Sequence, residues 1–479
     1  MKEDSCWMNS SLLEIIPDGT GFAASWAGGK ISPEFQRELR RMEKGEVTQA
    51  ILIFSEEVDE QAKKTLLAAE KEAKSEKFHI LKQSAEKAQE GVSEFFEKQA
   101  KDYFKGIKQF DFEQLGVKRL PLLNTMVAPA TPKLVEEIAA QPNVLGILPN
   151  QPCKLIQPFR TGPKEIMRRE VRDGITWGLK RLKVDKIWEQ DFKGASVRIG
   201  HLDTGVYVDH PDLSGKVVEF LAFSPQGVPL IGCPIYDSDF HGTHTAGTLV
   251  GGRASGIQIG VAPEAKLVSG LVLQNGGGTL IQALSGINWI IEQDIQVLSM
   301  SLGFSRYEPK FEYYVERLLL LDIFPSFAIG NAGWGNCSSP GNISLACGVG
   351  AINYDSEAAS FSSGASLSFY DKVKKSSTHV IKPDLCAPGV AVFSAVPPLL
   401  DGFEVNGNFY AWLDGTSMAT PHVAGIAALL TQAAPEKRAR EIMSTLYQTA
   451  KPAGEMGHNN RYGRGIIDPL KALQKLINA

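Results

Sequence analysis

At 479 residues the chain is longer than one hydrophobic core usually serves, which favours two or three folded units, and its 43% hydrophobic and 22% charged residues are those of a globular protein. A formal net charge of -4 offers no electrostatic attraction to DNA, RNA or an anionic lipid surface. No run of eighteen apolar residues offers a membrane span, so neither nucleic acid nor membrane is expected as a partner.

The first residues, MKEDSCWMNSSLLEIIPDGTGF, lack the continuous apolar stretch of a secretory signal, and a cytoplasmic location is the expectation. Six cysteines lie scattered at Cys6, Cys153, Cys233, Cys337, Cys347 and Cys386 without C-x-x-C spacing, which argues for reduced thiols over a disulfide framework or zinc site. After an N-terminal extension (residues 1–46), Val47 to Ser55 reads as a strand. Lys- and Glu-rich sequence from Asp59 to Lys108 carries apolar residues mostly three or four apart, the pattern of one long or two shorter amphipathic helices with a break near Gly91. VKRLPLLNTMVAP, PKLVEEIAAQ and NVLGILP complete a β-α-β-β-α-β order. A small α+β domain is therefore expected over residues 47–155, followed by a linker over 156–174, where Pro158 and Pro163 interrupt polar, basic sequence.

From residue 175 to 479 the pattern changes. Short apolar strands such as SVRIGHLD, KLVSGLVL, IQVLSMSLG and FPSFAIGN alternate with helices, the signature of an α/β domain with a mainly parallel central sheet. Such a sheet presents functional groups at the carboxyl ends of its strands. SVRIGHLDTGV places Asp203 there, where a carboxylate can hold an imidazole. DFHGTHTAGTLVGG puts His241 at a helix start, and LDGTSMATPHVAGIAALLTQ puts Ser417 at the start of an apolar helix with Pro421 in its first turn. The helix N-terminus and the Ser417 backbone N–H suit a developing oxyanion. Nucleophile, base, orienting acid and oxyanion donor are what peptide hydrolysis at neutral pH requires. His244 and His422, one helical turn from these positions, read as structural residues, and His201 as a residue in or beside the core.

The motifs Asp-Thr-Gly, His-Gly-Thr-His and Gly-Thr-Ser-Met-Ala, in that order, resemble those of the subtilisin-like serine peptidases. The resemblance extends from about Thr176 to Leu473 through HPDL, IGVAPEAKL, VLSMSLG, IGNAG, KPDLCAPG and YGRGIIDPLKAL. It implies a three-layer subtilisin-like α/β fold and a serine endopeptidase acting on protein or peptide substrates, with Ser417 as nucleophile, His241 as general base, Asp203 orienting it and Asn331 in the oxyanion hole. An extended substrate is implied between two backbone edges, Ser301, Leu302 and Gly303 on one side and Asn275 to Gly278, with Gly276 and Gly277, on the other. Ala328 to Gly330 and Ser338 to Gly341 are the expected walls of the pocket before the scissile bond.

Calcium is frequent in the family, and Asp212 is one candidate ligand. The loop from Gly251 to Gln258 carries no Asp, Glu or Asn and contains Arg253, so no cofactor is expected. The β-α-β-β-α-β unit resembles the family's inhibitory, ferredoxin-like propeptide, especially NVLGILPNQPCKL, whose tail would lie in the cleft. Intramolecular inhibition follows as an expectation, ended by self-cleavage between Cys153 and Gly174 or by a regulatory protein. Two other readings stay open on sequence alone: a catalytically silent peptide-binding scaffold, and an esterase with the same triad.

Overall fold

The structure is a computed structural model that describes residues 29–43, 46–55, 58–67, 73–96, 116–161, 164–304, 307–308, 311–371, 376–398, 403–405 and 407–478. The chain divides into two compact units, one of residues 1–151 with 369–378, the other of residues 152–368 with 379–479.

In the first unit, helix α1 (Pro33–Leu39) starts at a Ser32 cap, whose hydroxyl accepts from the Phe35 N–H, with proline at the first helical position. Strand β1 (Thr48–Phe54), helices α2 (Glu60–Leu67) and α3 (Ala73–Phe95), strands β2 (Lys118–Leu120) and β3 (Thr125–Ala130), helix α4 (Pro132–Ala139) and strand β4 (Val144–Pro149) follow. The strands form one antiparallel sheet in the order β2-β3-β1-β4. Its β-rich centre explains the burial: Ala50, Leu52, Phe54, Met126, Leu134 and Ile147 share one apolar core. Two details differ from the sequence reading. Residues Phe35 and Leu39 of α1, from the stretch read as an extension, belong to that core, because their spacing of four puts them on one helix face. Gly91 lies inside α3 instead of breaking it; one interior glycine costs a helix only about 1 kcal/mol. Residues 68–72 and 97–108 of the charged stretch lie outside the described residues.

The second unit starts with β5 (Pro152–Leu155), β6 (Phe159–Thr161) and helix α5 (Lys164–Asp173). The stretch read as a linker is thus mostly ordered secondary structure of this unit. The reason is local: Glu170 of α5 is buried and accepts from the Trp177 N–H and the Trp412 indole, while β6 pairs antiparallel with β18 (Asn408–Asp414).

The main sheet is built from β7 (Arg198–Asp203), β8 (Val217–Ala222), β9 (Lys266–Leu271), β11 (Val297–Met300), β13 (Phe324–Ala328), β14 (Cys347–Ile352) and β15 (Leu385–Pro388). All seven are parallel, in the order β15-β14-β13-β11-β7-β9-β8. Six of them are buried almost continuously, matching the unbroken apolar runs expected of a parallel sheet, while the edge strand β8 is largely exposed or half-buried. Helices α6 (His241–Val250), α7 (Leu280–Ile291), α8 (Phe311–Leu320) and α9 (Thr416–Ala433) pack against it, which makes the expected three-layer α/β architecture. Short strands β10 (Gly277–Thr279) and β12 (Leu302–Gly303) stand outside the main sheet and flank β5. Helix α6 packs on α9, so the helix that begins at His241 and the one that carries Ser417 in its first turn are neighbours.

Candidate active site

Asp203 is the last residue of β7, and the turn after it is sterically restricted. Gly205 has φ of +110°, and a Cβ there would meet the Tyr236 carbonyl oxygen at 2.1 Å. A Cβ at Gly242 would meet the Gly205 carbonyl oxygen at 2.1 Å, so both glycines are needed to let α6 approach the strand end. That approach brings His241 Nδ1 to 2.7 Å from Asp203 Oδ1, with both side chains buried. The carboxylate also accepts from the Thr204 N–H at 2.8 Å and from the Thr245 hydroxyl at 3.2 Å.

Burial opposes charge on both members of this pair. At His241 the negative charge and hydrogen bond of Asp203, helped by Asp239 and Asp237, outweigh burial and leave the imidazole pKa above its ordinary 6.5. At Asp203 burial pushes upward, yet the charge and hydrogen bond of His241 bring the carboxyl below 3.8. The ring is therefore held with Nδ1–H on the carboxylate and Nε2 facing the other way, the orientation a general base requires.

Ser417 is buried in the first turn of α9. Its hydroxyl donates to the Ile156 carbonyl at 3.1 Å, with the Ser301 carbonyl at 3.4 Å, and Nε2 of His241 has no hydrogen-bond partner among the described residues. The serine–histidine hydrogen bond expected from the triad is thus not made, and a carbonyl of residues 152–157 takes the serine proton instead. Asn331, just beyond β13, is aimed by Thr416: its Oδ1 accepts from the Thr416 N–H and hydroxyl, both at 2.9 Å. This fixes which end of the amide donates. Its Nδ2 donates to the Gln157 carbonyl at 2.8 Å.

The two backbone edges named from the sequence flank a strand of the chain itself. β5 pairs antiparallel with β10, Gly277 opposite Lys154 and Gly278 opposite Cys153, and with β12, Leu302 opposite Leu155 and Gly303 opposite Lys154. The Leu155 N–H donates to the Gly276 carbonyl at 2.9 Å. Alternation along β5 turns Cys153 and Leu155 inward and leaves Lys154 exposed, while Ile156 reaches Gly303, where an added Cβ would meet its Cδ1 at 3.5 Å. Gly330 has φ of +118° and a Cβ there would meet Ser338 Oγ at 2.9 Å, so Ala328 to Gly330 and Ser338 to Gly341 do adjoin each other.

His244 and His422 are anchored to backbone carbonyls, His244 to Val392 and Ala411 and His422 to Met418, and burial lowers their pKa values to about 3 and about 4. Asp212 is held by protein donors: one carboxylate oxygen accepts from the Ala254 N–H at 2.6 Å and the other from the Tyr410 hydroxyl at 2.7 Å. Two of the carboxylate's roughly four lone-pair sites are thus taken by protein donors, and Arg253 lies in the loop that would have to supply further oxygens. Of the described cysteines, all five are free thiols, and Cys6 lies outside the described residues. Sequence reasoning missed Thr416 and Thr245, which position Asn331 and Asp203, and Ile156 and Gln157, whose carbonyls meet Ser417 and Asn331. For the threonines a signal existed, since each adjoins a catalytic motif at a spacing that returns it to the site: Thr245 lies four residues after His241 on one helix.

A family model described as the subtilase family, Peptidase_S8, matches residues 194–465. Bacillopeptidase F of Bacillus subtilis (strain 168) is 29% identical over 94% of this chain, which spans about a third (32%) of that protein. Subtilisin DY of Bacillus licheniformis is 33% identical over 63% of this chain and 99% of its own length, and an intracellular serine protease of Paenibacillus polymyxa is 34% identical over 64% and 89%. With the matched span holding Asp203, His241 and Ser417 in the geometry described, the chain belongs to the subtilase family of serine endopeptidases.

Proposed function

We propose that the chain cleaves peptide bonds through an acyl-enzyme on Ser417 and that residues 152–157 restrain it by filling the substrate channel. In the reaction, Ser417 Oγ adds to the scissile carbonyl carbon as His241 Nε2 takes its proton, while Asp203 stabilises the imidazolium. The Asn331 Nδ2–H and the Ser417 N–H receive the charge that develops on the carbonyl oxygen. Collapse breaks the C–N bond as His241 returns the proton to the leaving amine, and water repeats the sequence to free the acid.

The observation that carries the restraint is the division of two successive carbonyls between the two catalytic partners. Ser417 touches the carbonyl of Ile156, whereas Asn331 touches that of Gln157. Attack places Oγ on the carbon of the carbonyl whose oxygen meets Asn331, and needs the serine proton on His241 Nε2; here that proton is committed to the Ile156 carbonyl and Nε2 has no partner among the described residues. The segment therefore occupies the channel as a strand while drawing the nucleophile's proton away from its base, and on this reading it is an inhibitor held in place of substrate. A regulatory protein that draws it out would release activity.

The test compares the full-length chain with its Ser417→Ala form, using a short chromogenic peptide, a chromogenic ester and a fluorophosphonate. Slow, Ser417-dependent peptide turnover and weak labelling, with residues 152–174 still intact by N-terminal sequencing, are the expected results. No labelling under any condition that detaches the segment would overturn the catalytic reading in favour of a silent scaffold. Turnover of the ester alone would make the chain an esterase, and fast Ser417-dependent cleavage within 152–174 would overturn the restraint.

A further inference from the structure

Behind the Asp203–His241 pair lies a second histidine. His201 precedes Asp203 by two on β7, so the strand period puts both side chains on one face. It is 1% exposed, and both ring nitrogens have partners: Nδ1 lies 3.0 Å from the Ser269 hydroxyl and Nε2 2.9 Å from the Thr245 hydroxyl. The Thr245 oxygen in turn lies 3.2 Å from Asp203 Oδ2. Nε2 itself stands 3.8 Å from Oδ2, too far for a direct hydrogen bond.

Thr245 has one proton and four candidate acceptors: Asp203 Oδ2, His201 Nε2, and the carbonyls of His241 and Gly242 at 3.2 and 3.1 Å. Where that proton goes is set by the tautomer of His201. With the proton on Nε2, the ring donates to the Thr245 oxygen and the threonine proton is free for the carboxylate. With the proton on Nδ1, Nε2 becomes an acceptor competing for the threonine proton, and its lone pair faces an anion across 3.8 Å. The second arrangement is electrostatically the worse, while the Ser269 hydroxyl serves Nδ1 equally well as donor or acceptor. We propose that His201 is a positioning residue for the catalytic pair: its Nε2–H holds the Thr245 hydroxyl so that its proton is donated to Asp203 Oδ2.

The consequence is chemical. Oδ1 is engaged by His241 and Thr204, so Thr245 is the donor that holds Oδ2 and sets the rotation of the carboxylate. Burial keeps His201 neutral, its pKa lowered to about 4, so it acts as a dipole and adds no positive charge beside the imidazolium that must form on His241. Other groups that bear on the pair are Asp237 and Asp239 before α6, His244 on α6, and the uncharged Ser269 and Ser299 on β9 and β11, which are the register neighbours of His201.

This inference rests on the proposed roles of Asp203 and His241, and its test separates the two. Nitrogen NMR of the full-length chain labelled at histidine reads which ring nitrogen of His201 carries the proton; Nε2–H is expected from pH 5 to 9, and an Nδ1–H ring would overturn the proposal. His201→Leu should raise the His241 midpoint by up to about one pH unit, because a carboxylate with one donor fewer attracts the imidazolium proton more strongly. His201→Gln, whose amide N–H can reach Thr245, should restore most of the wild-type value, and His201→Leu should add nothing in a Thr245→Val background. Equal midpoints in wild type and His201→Leu refute the proposal, as does an undiminished effect in Thr245→Val. If His201→Leu does not fold, the wild-type tautomer and the Gln and Val variants still decide. Absence of Ser417-dependent hydrolysis with the expected tautomer and midpoints would refute the catalytic reading alone.

Discussion

Trimming one side chain of the channel strand should raise the activity of the intact chain. Leu155 is 5% exposed and lies inward between β10 and β12. Leu155→Ala deletes three carbons, which at about 0.8 kcal/mol per buried CH2 weakens docking by roughly 2.4 kcal/mol. At about 1.36 kcal/mol per factor of ten, the undocked fraction rises roughly fiftyfold, and turnover of a short peptide rises with it until most molecules are undocked. The backbone pairing of β5 and the catalytic residues are untouched and the segment competes with substrate, so the gain should lie in kcat/KM at sub-saturating peptide, through a lower apparent KM, and in the rate of fluorophosphonate labelling alike. The assay measures initial rates on full-length protein, with electrophoresis to show that the chain is uncut and circular dichroism to show that it is folded. Exposed Lys154, on the same strand, supplies the control: Lys154→Ala should change the rate less than twofold, because surface substitutions rarely exceed about 0.5 kcal/mol. A folded, uncut Leu155→Ala chain no more active than wild type would refute the restraint.

Asn331→Leu should lower kcat roughly 10²–10³-fold with little change in KM, the range known for the oxyanion donor of subtilisin itself, and steady-state kinetics in a Leu155→Ala background checks it. Hydrolysis should fall on the acid side with a midpoint above 6.5, since His241 must be neutral to act and its pKa is raised. Stability should move oppositely: the raised His241 pKa contributes fully below 6.5 and is lost as pH climbs through the folded value, while the lowered Asp203 pKa contributes above 3.8 and is lost as pH falls through its folded value. Thermal melting of Ser417→Ala against its Asp203→Asn form should show the pair's contribution fading as pH rises past His241. Tyr410→Phe should cost about 2 kcal/mol by removing a donor from the buried Asp212 carboxylate, read as a lower melting temperature, and added calcium should leave the wild-type melting temperature unchanged.

Most of the catalytic unit was legible because its strands carry unbroken apolar runs and its motifs sit where a parallel sheet ends. Asp203, His241 and Ser417 each follow from such a junction, and the glycines at 205 and 242 are explained by the approach they permit. What sequence did not reveal depends on pairing between distant segments. Residues 159–161 lie between Pro158 and Pro163, so they read as linker, yet β18 supplies a partner edge some 250 positions later. Glu170 reads as one charge among many in a basic helix until Trp177 and Trp412 are seen to donate to it; burial then lifts its pKa to about 7. The role of His201 was hidden for the same reason, since its partners Thr245 and Ser269 come from a helix and a neighbouring strand.

The carbonyl division at Ile156 and Gln157 also bears on whether the segment can become a substrate. Presenting a different bond to Ser417 would require the segment to slide by one residue, and a strand that slips by one turns every side chain to the opposite face. Cys153 and Leu155 would then leave their buried positions and the Lys154 ammonium would enter them, a change disfavoured by both apolar exposure and charge burial. The downstream side resists as well: β6 is paired to β18 through Phe159, Arg160 and Thr161, and the Thr161 hydroxyl donates to Asp414 at 3.1 Å. Between the two anchored strands, Pro158 fixes its own φ and lacks an N–H, so little slack is available for a local rearrangement. Anchoring on both sides of the nucleophile thus favours withdrawal of the whole segment over its cleavage in place, which is why an external partner is the more economical release than self-processing.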